Sequence, residues 1–354
     1  MDFKQYFSSY TDKINSFLEN FLREKVKESK NINPSLPLFW KNMEDIIIRG
    51  KRIRGNLIRL GYECFKKPQD KKLLPISTSL ELTQSAILIH DDVIDQSKLR
   101  RNQLTIHEKY KKYHLKKYKK GSPLHYGESM AIVLGIIGYY EAIRLITQSQ
   151  FKDELKIKAI NEFSYFMTNT GYGEGLDVDL SYREKIKQKD IFDIYTYKTA
   201  YYTIIGPLKI GAILAGAKKK DLKIFEDYGT PLGIAFQIQD DILGIFGDEK
   251  STGKKTGDDI KEGKNTILFT QALKRANSKQ KEILEKLWGK RNINIKEINQ
   301  VREVIIQTGS LKYCQELAIN LTKEAKNKVS KITKNKNLQE IFLSLADFII
   351  KREK

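Results

Sequence analysis

Apolar residues recur at three- and four-residue intervals through most of this 354-residue chain, and that spacing restricts its possible folds more than any other feature. Ile14, Phe17, Leu18, Phe21 and Leu22 form one such stripe. Leu80, Thr83 and Ile87 form another, and the stretches 194–217 and 224–245 repeat it. A period near 3.6 gathers these residues on one face of a helix, which then has a side to bury. Only 7 prolines interrupt the chain, so long helices are permitted, since proline removes a ladder donor and clashes with the preceding turn. Long strand-like alternation is missing, and glycine and proline are expected as punctuation between helices. With no solenoid repeat and no Ser/Gly-rich linker, the expectation is an all-α fold: one domain over residues 1–354, a bundle of ten or more helices.

Hydrophobic residues make up 40% and charged residues 31%, the balance of a globular chain rather than a disordered one. The formal charge of +20, from 64 Lys and Arg against 44 Asp and Glu, attracts polyanions. Nucleic acid, anionic membrane and phosphorylated small molecules all fit that charge, as does a plain solvated surface. Cys64 and Cys314 lie far apart with no metal-ligand spacing, so neither a zinc site nor a disulfide framework is expected, and a reducing cytoplasm suits them. The N-terminal residues lack a signal-peptide pattern. The longest apolar run, Met130 to Tyr140, is shorter than the roughly 20 residues of a spanning helix. A lysine- and tyrosine-rich stretch at about 109–124 reads as an inserted, solvated loop; its composition also suits an anionic membrane surface or stacking on nucleic acid.

The sharpest chemical signal is His90-Asp91-Asp92-Val93-Ile94-Asp95, closing the apolar run Ala86 to Ile89. On a helix, Asp91 and Asp95 stand one turn apart with Asp92 beside them, so three carboxylates share an edge. Nothing in the adjacent sequence is placed to neutralise them, which makes a bridging cation the expected answer to their repulsion. An oxygen-only ligand set suits magnesium, which binds through carboxylates together with substrate phosphates. A second acidic edge follows, with Gln237 and Asp241 four residues apart and Asp240 adjacent. Paired carboxylates also serve glycoside hydrolysis, but two clusters on separate apolar helices fit metal binding better than a lone proton donor.

Basic residues come in matching blocks. Arg49, Lys51, Arg52 and Arg54 surround Gly50 and Gly55, glycines that let a backbone approach a ligand. Arg100 and Arg101 follow the first acidic cluster closely enough for their guanidinium forks to reach metal-bound phosphates. Lys198-Thr199 and the glycine-punctuated stretch from Gly253 to Lys264 add further cations. Alone, each block reads as a solvated patch; beside two metal-type clusters they describe a pocket for two diphosphates.

Taken in order, Gly50-Lys51-Arg52-Ile53-Arg54, Asp91 to Asp95 with Arg100-Arg101, Lys198-Thr199, Gln237 to Asp241 and the stretch 247–264 resemble the trans-polyprenyl diphosphate synthase family. The likeness runs from about Arg49 to the C-terminus, and the ending 345–352 is similar to archaeal geranylgeranyl diphosphate synthases. The resemblance implies a bundle of isoprenoid synthase type around a central cavity, and condensation of isopentenyl diphosphate with an allylic diphosphate. It assigns magnesium, three ions in all, to Asp91, Asp92 and Asp95 on one wall and to Asp240 and Asp241 on the other. Arg100, Lys198, Thr199, Gln237 and Lys254, with Lys264 nearby, would contact the allylic diphosphate, and Lys51, Arg54 and Arg101 the isopentenyl diphosphate. The catalytic set is then Asp91, Asp92, Asp95, Arg100, Lys198, Asp240 and Asp241. Gln84 stands where His is frequent, and its amide can still donate to a phosphate. Asp179 and Asp259 match acidic positions near the family's site. Gly244 replaces the last Asp of the second cluster, Leu176 a glutamine and Ile136 an aspartate. Homodimers are common among such enzymes, and a homodimer is expected here; nucleic acid is not expected as a partner.

Each turn back from Asp91 rises about 5.4 Å, roughly one isoprene unit. Thr83, Ala86 and Ile87 therefore set product length, and none is the bulky aromatic found in family members that stop at fifteen carbons. The expectation is a product of about twenty carbons or more, geranylgeranyl diphosphate or longer, which Ala86→Phe should shorten. Two alternatives compete. A terpene cyclase shares aspartate-rich helices but needs no second diphosphate, so the basic block at 50–54 argues against it. A weakly active subunit of a hetero-oligomeric synthase is suggested by Leu176 and Ile136.

Overall fold

Apolar periodicity becomes helix almost everywhere the sequence carries it. The computed structural model describes residues 2–48, 50–100, 102–247 and 257–350. The fold is all-α; among the described residues the exception is a small antiparallel hairpin, β1 (Leu99–Arg100) with β2 (Gln103–Leu104), in register Leu99 to Leu104. The helices are distributed between two compact units.

The first unit holds α1 (Phe3–Ile32), α2 (Pro37–Ile47), α3 (Ile53–Glu63), α4 (Asp70–Ile94), α5 (Ile106–Lys117), α6 (Pro123–Thr147), the start of α7 (Asp153–Leu180) and most of α9 (Gly206–Leu214). Helix α6 has small residues Gly127, Ala131, Gly135, Gly138 and Ala142 buried at three- and four-residue spacing, and uses them to approach α4 and α5. A Cβ built on Gly127 would lie 2.3 Å from the His107 carbonyl oxygen of α5, and one on Gly135 would lie 2.1 Å from the His90 ring of α4. By length and composition α6 could cross a membrane; its small-residue side packs within the unit, while 39% of its apolar window is buried. Helices α3 and α9 meet the same way. Gly61 faces the Leu208 carbonyl and Gly211 faces the Ile58 carbonyl, so backbone touches backbone.

The second unit holds the remainder of α7, then α8 (Gln188–Ile194), a π-helical stretch over Tyr195–Ile205, α10 (Lys223–Phe246), α11 (Asp258–Glu262), α12 (Ile267–Arg275), α13 (Ser278–Leu287), α14 (Ile295–Gln307), α15 (Ser310–Lys326), α16 (Val329–Ile332) and α17 (Lys336–Ile350). The π-helical stretch lies against α10 through Gly229 and Gly233, where added Cβ atoms would meet Ile205 and Ala200. A core of Phe225, Tyr228, Leu232, Phe342 and Leu345 closes around α10 and α17, and Tyr228 donates its hydroxyl to the Phe342 carbonyl at 2.9 Å.

Three sequence expectations need correction. Glycine and proline do not simply separate helices: Pro75 lies inside α4 and Pro231 inside α10, and many glycines sit mid-helix because close helix contact requires them. Residues 195–205 are π-helical rather than ordinary α-helix. The stretch at 109–124 is not a loop, because Lys109 to Lys117 complete α5, whose His107, Tyr110 and His114 are buried.

The glycine contacts carry a stability prediction. Alanine gains about 1 kcal/mol over glycine in a helix interior, but a Cβ at residue 61 would stand 2.2 Å from a backbone oxygen that cannot swing away. Gly61→Ala is therefore expected to destabilise the protein by a net ~1–2 kcal/mol, read as a lower urea midpoint at unchanged slope.

Candidate active site

At the end of α4 the chain reverses sharply. Gln96 adopts φ 54°, and the Ser97 amide returns to the Asp92 carbonyl at 2.9 Å. The β1–β2 hairpin then folds back, with Asn102 at φ 60° in its turn. This reversal lays Arg100 across the acidic cluster: its Nε donates to Asp92 at 2.8 Å and its Nη2 to Asp91 at 2.7 Å. The cluster thus has an internal counter-charge, contrary to the expectation that no neighbour neutralises it. A hairpin, invisible to helical spacing, supplies the partner.

The three aspartates have different environments. Asp92 is 1% exposed, Asp91 is 18% exposed, and Asp95 is half-buried at the helix end. Burial pushes the Asp92 carboxyl up to about 7, against the pull of Arg100. Burial weighs against the Arg100 charge too, yet Asp92 and Asp91 outweigh it and its pKa is raised. Asp92 Oδ2 is buried with no hydrogen-bond partner among the described residues, an acceptor still to be satisfied. Gln84, Ile87, Leu88 and Asp91 are all half-buried at helical spacing, one face of α4 leading to the acidic end. Thr83 is fully buried and donates to the Ser79 carbonyl at 2.8 Å. Ala86 is fully buried against α6, where a Cβ on Gly138 would come within 3.0 Å of its methyl group. A ring at residue 86 would push α4 from α6 whatever it did to product length, so Ile87 is the more informative position.

The basic block is held from behind. Arg52 is buried at φ 55° and donates to Asn15 Oδ1 at 2.6 Å and to the Ile47 carbonyl at 2.5 Å, tying the loop to α1 and α2. Buried Glu81 of α4 accepts from the Gly55 amide at 2.9 Å. With Arg52 turned inward, Lys51 is exposed and Arg54 half-buried at the start of α3. Arg49, Arg101 and Lys254 lie outside the described residues.

In the second unit, a continuous network holds the other acidic pair. Thr199 Oγ1 donates to Gln237 at 2.7 Å, and Gln237 Nε2 donates to Asp241 Oδ1 at 2.9 Å. The Tyr195 hydroxyl donates to the other oxygen of Asp241 and accepts from the Ile267 amide at 3.1 Å, at the start of α12. Asp241 is buried and Asp240 half-buried. Burial raises the Asp241 carboxyl well above the usual range, Tyr195 and Gln237 oppose that, and Asp259 adds to it. The Asp259 carboxylate fills the place a side chain at Gly244 would take, 1.9 Å from a built Cβ, so this glycine makes room for an acidic neighbour from α11. Lys264 follows, its amide bonded to the Asp259 carbonyl at 3.1 Å and its Nζ 3.0 Å from Glu262. Lys198 pairs with Asp177 at 2.7 Å and Glu174 at 2.9 Å on α7. Asp179, the expected acidic neighbour, is 58% exposed and pairs with Arg183 instead.

Sequence reading missed Tyr195, Glu174 and Asp177. The glutamate and first aspartate had a usable signal, being three apart on one helix; a tyrosine inside a tyrosine-rich stretch had none. The oxygen-only donors and the unsatisfied Asp92 Oδ2 fit magnesium. Among the described residues no three His, Cys, Asp or Glu side chains converge on one point.

Comparison with known proteins agrees. The polyprenyl synthetase family model matches residues 37–305. A geranylgeranyl diphosphate synthase of Sulfolobus acidocaldarius is 30% identical over 355 residues, covering 99% of each chain. A geranylfarnesyl diphosphate synthase of Aeropyrum pernix is 27% identical, covering 86% of this chain and 91% of its own. The crystal structure of a Corynebacterium glutamicum geranylgeranyl pyrophosphate synthase complexed with isoprenyl diphosphate and magnesium superposes with a TM-score of 0.93 at 27% identity, covering 98% of this chain and 99% of that one. The chain belongs to the polyprenyl synthetase family and is a chain-elongating trans-prenyltransferase.

Tyr195 offers a direct check on the second network. Tyr195→Phe strips one donor from Asp241 and one acceptor from the Ile267 amide, both buried. The expected cost is ~1–3 kcal/mol in urea unfolding; an unchanged midpoint would show that the hydroxyl bears no structural load.

Proposed function

We propose that this enzyme condenses isopentenyl diphosphate with an allylic diphosphate to make a prenyl diphosphate of about twenty carbons or more, by the helix-rise argument. The observation that carries the product assignment is the half-buried face of α4, where Ile87, an aliphatic residue, stands one turn before Asp91. Curated relatives named as geranylgeranyl and geranylfarnesyl diphosphate synthases support the same range.

Under this reading Asp91, Asp92 and Asp95, with Asp240 and Asp241, hold magnesium, three ions in all, and Asp92 offers the buried Oδ2 that lacks a partner among the described residues. When bound, the ions would offset the charge that gathers on the departing diphosphate. Arg100, Lys198, Lys254 and Lys264 bind that diphosphate, Thr199 and Gln237 orient it, and Gln84 donates from α4. Lys51, Arg54 and Arg101 hold isopentenyl diphosphate. The allylic carbon–oxygen bond breaks, the electrons of the isopentenyl double bond form the new carbon–carbon bond, and the diphosphate takes the proton lost. Arg100 is already aligned by two carboxylates, so its charge is preorganised for this role. Exclusion of water protects the cation.

The test is radiolabelled isopentenyl diphosphate with each allylic starter, magnesium present or chelated, and products sized by chromatography. Label should enter products of about twenty carbons or more only with magnesium. Ile87→Phe should move the product toward fifteen carbons, roughly one isoprene unit per helical turn blocked; an unchanged product would remove this face from the assignment.

We propose a homodimer acting in the cytoplasm. Ile132, Ile136 and Tyr140 form an exposed apolar stripe at four-residue spacing on α6, and such a face suits a second copy of the chain. Ile136, which replaces a family aspartate, enlarges that stripe. The free thiols Cys64 and Cys314 suit a reducing compartment. Ile136→Glu should halve the mass measured by light scattering.

A further inference from the structure

We propose that the C-terminal half of α5 and the turn leading into α6 form a docking surface for an anionic lipid bilayer. Residues 109–127 contain no Asp or Glu and carry seven lysines. Lys109 and Lys111 are occupied by Asp45 and Glu108. Lys112, Lys116, Lys119 and Lys120 are exposed, and among the described residues no carboxylate pairs with them. Three features set this patch apart from a generally basic surface.

It is ordered from beneath. His114, Tyr118 and Tyr126 meet in tilted and edge-on contacts with ring centroids 5.1–5.6 Å apart, and the His114 ring bonds to the Lys120 carbonyl at 2.9 Å, so the turn that carries the lysines is tied to the helices. Gly121 at φ 83° completes the reversal. Its helical cations also share an edge. With His107, Tyr110 and His114 facing inward, Lys112, Leu115 and Lys116 lie on the opposite edge of α5, spaced by three and four residues. Finally, apolar groups project among the charges: Leu115 is 63% exposed, Leu124 47% and Tyr118 43%.

Charge complementarity with anionic headgroups and insertion of Leu115, Leu124 and Tyr118 into the interface together match a bilayer. Nucleic acid would use the lysines but leave the leucines in water. The surface does not depend on the catalytic reading, although an enzyme whose product carries a long apolar tail gains from lying where that tail is soluble.

The test is sedimentation of the full chain with phosphatidylcholine vesicles, with and without phosphatidylglycerol, in the absence of substrate. Binding should require phosphatidylglycerol and weaken with salt. Replacing Lys116, Lys119 and Lys120 together by Gln should reduce partitioning at least ~10-fold, whereas the same change at exposed Lys331, Lys334 and Lys336 should reduce it far less. Leu115→Ser with Leu124→Ser should lower it further at high salt. All variants carry surface changes, and unaltered prenyl transfer in solution confirms their fold. Equal binding to neutral vesicles, or equal losses from the two lysine triples, would overturn the proposal. Full competition by duplex DNA with no effect of the leucine changes would assign the patch to nucleic acid instead.

Discussion

Carboxylates inside a helical protein are costly unless something answers their charge, and this chain answers them twice by different means. At the end of α4 the answer is a guanidinium, delivered by a hairpin whose turn forces Arg100 back over Asp91 and Asp92. On α10 the answer is neutral: Tyr195 and Gln237 donate one hydrogen bond to each oxygen of Asp241. Charge-assisted hydrogen bonds hold geometry tightly, so each buried aspartate anchors a more accessible neighbour, Asp92 beside Asp91 and Asp241 beside Asp240. The buried member gives rigidity, and at the first pair Asp92 still keeps Oδ2 without a partner among the described residues, so both members can meet a ligand.

The surrounding architecture serves that arrangement. Long helices bring ionisable residues to their ends, and close approach between helices keeps those ends fixed. Glycines accomplish the approach at the α4–α6, α3–α9 and π-helix–α10 contacts, at the expense of helix propensity. The trade favours packing because each contact removes backbone and side-chain surface from water along a whole helix, whereas each glycine weakens only its own turn.

Much of this was legible in the sequence. Helical spacing marked α1, α4 and α10, and the doubled aspartates at 91–92 and 240–241 marked the chemistry, because both signals are local. What spacing could not show depended on chain reversal or on distant partners. Arg100 was correctly singled out but its ion pairs were not, since they need the hairpin. Ala86 and Ile87 are neighbours in sequence, yet one lies under Gly138 and the other on the face of Asp91, a distinction only the neighbouring helix makes. The lysine run at 109–120 read as loop because charge obscured the inward face formed by His107, Tyr110 and His114. Asp179 and Asp177 are two apart, and sequence likeness favoured the one that turns to Arg183.

The wide helical turn over Tyr195–Ile205 has an evolutionary corollary. A π-helical stretch carries its ladder one residue further than an α-helix, so converting it to α-geometry amounts to deleting a position. Each residue removed would rotate the chain beyond it by about 100° about the helix axis, so a deletion before Lys198 would turn it from Asp177 and one after Thr199 would part it from Gln237. Length in this segment is therefore constrained in its own right, beyond the identity of a residue such as Tyr195 that holds a hydrogen-bond network.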